Sequence, residues 1–183
     1  MLKDKIGYQF RNNVLFRKAL THSSYANEQR ARHLQNNERL EFLGDSVLGF
    51  VTADYLYNHF PELPEGELTK LRAAVVCEQA LYEVAKELGI DKEICLGHGE
   101  ETGGGRQRPS ILADAVEALL GAIYLDGGIE PARAFVLSFI PQKAERARQG
   151  RMFKDYKTTL QEIVQKNRQE TLEYRLAGSS GPD

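Results

Sequence analysis

Tryptophan is absent from these 183 residues, cysteine and methionine occur twice each, and no apolar stretch approaches the roughly 18 uncharged residues that a membrane helix requires. A membrane-spanning helix is therefore excluded. The segment 1–10 has no apolar run after its charges, so an unexported, cytoplasmic protein is expected. Cys77 and Cys95 stand far apart with no Cys-x-x-Cys or Cys/His spacing, which excludes a disulfide framework and reads as two reduced packing thiols.

A basic surplus is missing as well. The net charge of −2 argues, taken whole, against a nucleic-acid binder. The average hides an asymmetry: residues 1–142 carry 15 Lys+Arg against 20 Asp+Glu, net −5, while residues 143–175 carry 9 against 5, net +4. An acidic body with a basic appendage suits a body that holds cations and an appendage that meets a polyanion.

Alternating β-branched runs are lacking up to about residue 140, and apolar residues recur there at spacings of three and four. An all-α body follows, with helices predicted over 12–20, 36–59, 67–88, 110–126 and 130–147 and a short one over 90–95. Breaks are expected at 61–66, at 97–109 with its Gly103-Gly104-Gly105 triplet, and at 126–128. The triplet is not a phosphate loop, since no Gly-Lys-Ser/Thr follows it and no strand precedes it; a flexible connection is expected, and no nucleotide cofactor.

The domain reading is a body over 1–147, a polar linker over 148–154, and a helix at 156–166 and strand at 172–177 within 155–183. One helix and one strand cannot enclose a core, so that last piece reads as the truncated start of a second, α+β domain.

The chemistry concentrates on two segments. At roughly 100° per residue, Glu38, Glu41 and Asp45 fall within about 60° of one another, with Leu40, Leu43, Val47 and Val51 nearly opposite. In the second segment Asp114 and Glu117 oppose Leu112, Val116, Leu119, Leu120 and Ile123. Ala118 and Gly121 beside those acids leave the face small enough for another helix to approach closely. Packed together, the two helices would form an all-oxygen site of the kind that suits Mg²⁺ and supports phosphoryl chemistry. On residue pattern alone, a pair of solvated acidic faces fits equally well. His22, His33, His59 and His98 show no paired-histidine spacing, which disfavours a zinc hydrolase, and His22 reads as a packing or capping residue.

The string Asn37-Glu38-Arg39-Leu40-Glu41-Phe42-Leu43-Gly44-Asp45-Ser46-Val47-Leu48 resembles the signature of the ribonuclease III family. Further likenesses follow in order at residues 20–25, 64–69, 108–118 and 121–128, together covering about the first 147 residues. The resemblance implies a helical, homodimeric endonuclease domain that cleaves double-stranded RNA in RNA processing, leaving 5′-phosphate and 3′-hydroxyl ends. It implies catalytic and metal-site roles for Glu41, Asp45, Asp114 and Glu117, with Mg²⁺ as cofactor and Mn²⁺ able to substitute. Glu38 and Glu65 are implied as supporting acids of the cleavage valley. Phe42, off the apolar stripe of its own helix, is expected to enter a pocket on a second subunit. The tail resembles the first helix of a double-stranded-RNA-binding domain, with Thr158, Gln161, Glu162 and Gln165 on its RNA face. Arg106 and Arg108 are expected to add phosphate contacts from the body.

Overall fold

The computed structural model describes residues 2–29 and 34–150; the expectations for Thr158, Gln161, Glu162 and Gln165, and for the second domain as a whole, lie outside them. Among the described residues there are helices and no strand, only an isolated parallel bridge between Thr21 and Cys95. The all-α expectation holds.

The fold is organised around α8 (Pro109–Gly127), which is apolar almost all the way round, with Ile111–Ala113, Ala115, Val116 and 118–123 buried. A helix of that composition belongs in a core rather than at a surface. Pro109 starts it, where a missing N–H costs nothing, and Gly128, at φ 86°, stops it. Around it pack α4 (Glu38–His59), α6 (Glu78–Leu88), α9 (Ile129–Leu137) and α2 (Asn13–Ala19), and the α4–α8 contact is the most extensive of these. The short α1 (Leu2–Ile6) leans on α6. The Asp126 carboxylate, near the end of α8, accepts hydrogen bonds from the Tyr8 hydroxyl and the Arg11 and Asn12 backbone N–H groups, holding the N-terminal segment in place.

Three expectations need correction. The helix over 67–88 is two helices, α5 (Glu65–Val76) and α6, separated at Cys77, whose backbone is extended at ψ 158°. α5 packs against α4 and α10 (Ile140–Arg148), while α6 packs against α8; a single straight rod could not reach both neighbours. The helix over 130–147 likewise divides into α9 and α10. Pro141 has no N–H for the Leu137 carbonyl, so the chain must re-start there as the first turn of a new helix.

The glycine-rich connection, finally, is built rather than loose. It contains α7 (His98–Thr102) and a 3₁₀ turn, Gly105–Gln107. The Arg106 guanidinium fastens that turn, donating to the carbonyls of Asp91 and Ile94 at 2.8 and 3.0 Å and to Glu101.

α4 and α8 meet backbone to backbone at two glycines. A Cβ added at Gly44 would lie 1.8 Å from the Glu117 carbonyl oxygen, and one added at Gly121 would lie 2.3 Å from that of Leu40. Neither helix has room for even a methyl group. Gly44→Ala is therefore expected to force the pair apart and lower stability by more than the roughly 1–3 kcal/mol typical of overpacking. Gly49, on the same helix, would set its Cβ in open space, so Gly49→Ala should raise stability through helix propensity. Thermal melts of the two variants check the opposite signs.

Candidate active site

The close approach at Gly44 and Gly121 decides where the acids go. Glu41 stands one turn before Gly44 on α4, and Glu117 and Asp114 stand one and two turns before Gly121 on α8. Glu41, Asp114 and Glu117, all half-buried, each offer a carboxylate oxygen, and those oxygens lie within 4.8 Å of one another. Among the described residues no lysine or arginine forms an ion pair with any of the three.

Unpaired charge at that density has an electrostatic consequence. Burial, and then the neighbouring carboxylates of Asp45, Asp114 and Glu41, push the Glu117 carboxyl up to about 8. Burial raises Glu41 too, with Asp114, Glu38 and Asp45 adding to the effect. Asp114 is raised by burial and by Glu78, while His22 acts in the opposite direction. Three carboxyls held against their preferred ionisation fit a hard divalent cation, which takes oxygen ligands and would supply the missing positive charge.

The remaining sequence-predicted residues fall around this trio at different distances. Asp45 is exposed and outside it, one turn along α4, yet after burial its carboxylate is the largest influence raising Glu117. Glu38 is exposed at the start of α4 and acts on Glu41. Glu65 is elsewhere: at the start of α5 it accepts a hydrogen bond from the Thr69 hydroxyl at 2.8 Å and lines a 390 Å³ cleft with Phe50, Tyr57 and Arg72. Phe42 is 77% exposed.

Arg106 is engaged through Nε with Glu101 and through Nη1 with the carbonyls of Asp91 and Ile94. Arg108 is half exposed and paired with Glu100 at 2.6 Å. Two residues that bear on the cluster carry no sequence signal of doing so. Glu78, exposed at the start of α6, and His22, at the start of α3 (Ser23–Glu28), both act on Asp114 across the tertiary fold.

Comparison with known proteins places the arrangement. The model of the Ribonuclease-III-like family matches residues 12–144. The chain belongs to the ribonuclease III family. Ribonuclease 3 of Pelotomaculum thermopropionicum is 50% identical over 183 residues, which cover 100% of this chain and 76% of that protein. Ribonuclease 3 of Symbiobacterium thermophilum is 54% identical over 180 residues, 98% of this chain and 75% of that one.

Among solved structures, the nuclease domain of ribonuclease III from Campylobacter jejuni, described for flexibility in a region involved in dimer formation, matches with TM-score 0.72 at 42% identity. That match spans 78% of this chain and 95% of that domain. Membership makes this chain an endoribonuclease, with a carboxylate cluster compatible with a divalent metal.

Proposed function

We propose that this endoribonuclease hydrolyses the phosphodiester backbone of double-stranded RNA at the cluster, with Mg²⁺ held by Glu41, Asp114, Glu117 and Asp45, and Mn²⁺ as a working substitute. The products are 5′-phosphate and 3′-hydroxyl ends. The observation that carries this reading is the half-buried trio of carboxylates, unpaired by any described lysine or arginine, on two helices locked together through glycine. Bound there, a divalent cation supplies Lewis-acid chemistry to a phosphodiester.

The chain's own contribution is to hold the carboxylates before any ligand arrives. The backbone contact of α4 with α8 fixes the spacing of Glu41 and Glu117. Exposed Asp45 and Glu38 extend the acidic surface towards solvent, where a long polyanion must lie. An RNA duplex labelled on one strand, incubated with and without Mg²⁺ beside the corresponding single strand, tests the assignment. Cleavage of the duplex alone, and only with metal, is expected; equal cutting of the single strand, or cutting in chelator, would overturn it.

The catalytic unit in this reading is a homodimer, formed through the α4 face that carries Phe42, as the Campylobacter domain has a dimer-forming region. Pairing would bring two clusters to one duplex.

The Glu117 carboxyl sets a pH dependence. With its folded value near 8 against an ordinary 4.5, the metal-free protein keeps this proton between those values while the unfolded chain has lost it. The contribution of this group to folded stability is thus fully present below about 4.5 and is lost as pH rises towards 8. Metal binding needs the carboxylate and must expel the proton. Apparent Mg²⁺ affinity should climb by about tenfold per pH unit, one proton per ion, and level off near pH 8. Calorimetric titrations in buffers of different ionisation enthalpy measure the released proton directly; affinity that is flat with pH and no proton release near pH 6.5 would refute the coupling.

A further inference from the structure

The last helix of the described body is anchored near both of its ends. Arg148, in its last turn, lays its guanidinium over the Phe60 ring, 4.8 Å from the centroid, and stands 3.7 Å from the Glu62 carboxylate. Both partners belong to the turn between α4 and α5. Nearer the start of α10, buried Lys143 donates to Glu83 of α6 at 2.9 Å. The point at which the chain leaves the body is therefore fixed.

A groove opens at that point. It has a volume of 370 Å³, lies between α5 and α10, and is lined by Leu63, Leu71, Ala74 and Ala147, with Glu67 and Arg148 at its polar edge. Leu71 is buried and the other three apolar residues are half-buried, which leaves apolar surface open beside the helix end.

The chain does not run straight on from α10. The Gln149 and Gly150 N–H groups return to the carbonyls of Glu145 and Ala147 at 3.1 and 3.0 Å, and Gly150 is left-handed, at φ 66°. A left-handed glycine in that position turns the chain back across the end of its helix, and an apolar residue just beyond it commonly packs on the last turns. Between Ala147 and Tyr156 the sequence has two large apolar side chains, Met152 and Phe153, in an otherwise polar stretch. At no more than about 3.6 Å per residue, both stay within about 11 Å of Gly150, while the groove itself is lined by Ala147 and Arg148 of the preceding turn.

We propose that the groove between α5 and α10 is a docking site for the chain's own Met152-Phe153 pair. The two side chains cover Leu63, Leu71, Ala74 and Ala147, taking apolar surface of both partners out of water. The consequence is mechanical. Whatever follows residue 155 then starts from the α5–α10 edge rather than from a free tether, and a shorter tether confines a linked segment to a smaller volume around the body. This inference is independent of the assignment of the carboxylate cluster.

The chain has no tryptophan, so Phe153→Trp and Met152→Trp each introduce a single fluorophore at the pair. Emission wavelength and acrylamide quenching are read on the full chain, folded and in urea, alone and with Ala74→Lys or Ala73→Lys added. Ala74 lines the groove; exposed Ala73, its neighbour on α5, does not. A lysine at 74 therefore obstructs the groove, and one at 73 controls for the same change on the same helix. Ala147→Lys obstructs the groove from α10 and serves if Ala74→Lys melts lower than Ala73→Lys.

At least one of the two tryptophans is expected to emit to the blue of its urea-unfolded form and to be quenched several-fold less. Obstructing the groove should move that emission to the red and restore quenching, while Ala73→Lys leaves both unchanged. Emission and quenching that match the unfolded chain at both positions overturn the docking. Protection that survives the obstructed groove places the pair elsewhere, and protection that is lost on dilution makes the occupant a second copy of the chain; either result overturns the assignment.

Discussion

Glu117→Gln is expected to lower the rate of duplex RNA cleavage by roughly a thousandfold or more, while the folded protein gains stability at high pH. The amide keeps the volume of the side chain but removes a charged ligand from the middle of the cluster. An ion held by carboxylates contributes several kcal/mol to the transition state of phosphodiester hydrolysis, and each 1.36 kcal/mol is about a factor of ten in rate. The stability effect has the opposite sign. Above about pH 8 the metal-free parent must carry a half-buried charge on Glu117 beside Asp45, Asp114 and Glu41, and the amide removes that penalty. Near pH 5 the parent holds the proton, so the two proteins should melt alike. Single-turnover cleavage at saturating Mg²⁺, with melts at pH 5 and 9 in chelator, reads both effects. Near-normal turnover in the variant at low Mg²⁺ would remove Glu117 from the site.

The contrast between α8 and the segment 67–88 shows what could be seen in the chain and what could not. The acidic and apolar stripes of α4 and α8 are local properties, repeating at helical spacing, so the helices and their faces are legible residue by residue. So is the small surface at Gly121 and Ala118 that lets a neighbour in. The break at Cys77 is not legible in this way: it arises because α5 and α6 serve different neighbours, a demand imposed from outside the segment. Pro141 was a readable stop, outweighed by an apolar period that runs through it.

The same distinction applies at the site. The spacing of Glu41, Asp114 and Glu117 marks two acidic helix faces without telling a cation site from solvated acids, whereas Glu78 and His22 carry no local sign of acting on Asp114 at all. Arg106 carries a structural role that its position near an acidic helix does not announce: the backbone carbonyls of Asp91 and Ile94 need donors, and Arg106 supplies them.

Phe42→Ala is expected to weaken self-association by roughly two orders of magnitude or more while leaving the monomer as stable as before. Phe42 is 77% exposed, Phe50 58% and Tyr57 72%, and all three lie on one side of α4, within roughly 80° of helical rotation. Beside them open two apolar clefts, one of 340 Å³ between Leu43, Val47, Phe50, Tyr124 and Ile129, the other of 390 Å³ under Phe50 and Tyr57. Three aromatic rings in water next to two cavities that could receive such rings form a self-complementary surface, which is the requirement for a two-fold dimer. Truncating a buried phenylalanine costs about 3–5 kcal/mol, and every 1.4 kcal/mol is about tenfold in dissociation constant. The monomer loses little, because the ring makes few contacts within its own chain.

The dimer prediction also separates Phe42 from the carboxylates kinetically. A variant that fails only to pair should regain cleavage as its concentration rises past the new dissociation constant, and Glu117→Gln should not. Sedimentation equilibrium measures the constant, and cleavage assayed over a hundredfold range of protein concentration, which spans about 2.7 kcal/mol of association free energy, measures the rescue. An unchanged dissociation constant would take Phe42 out of the interface, and an activity deficit that no concentration repairs would place it in the chemistry instead.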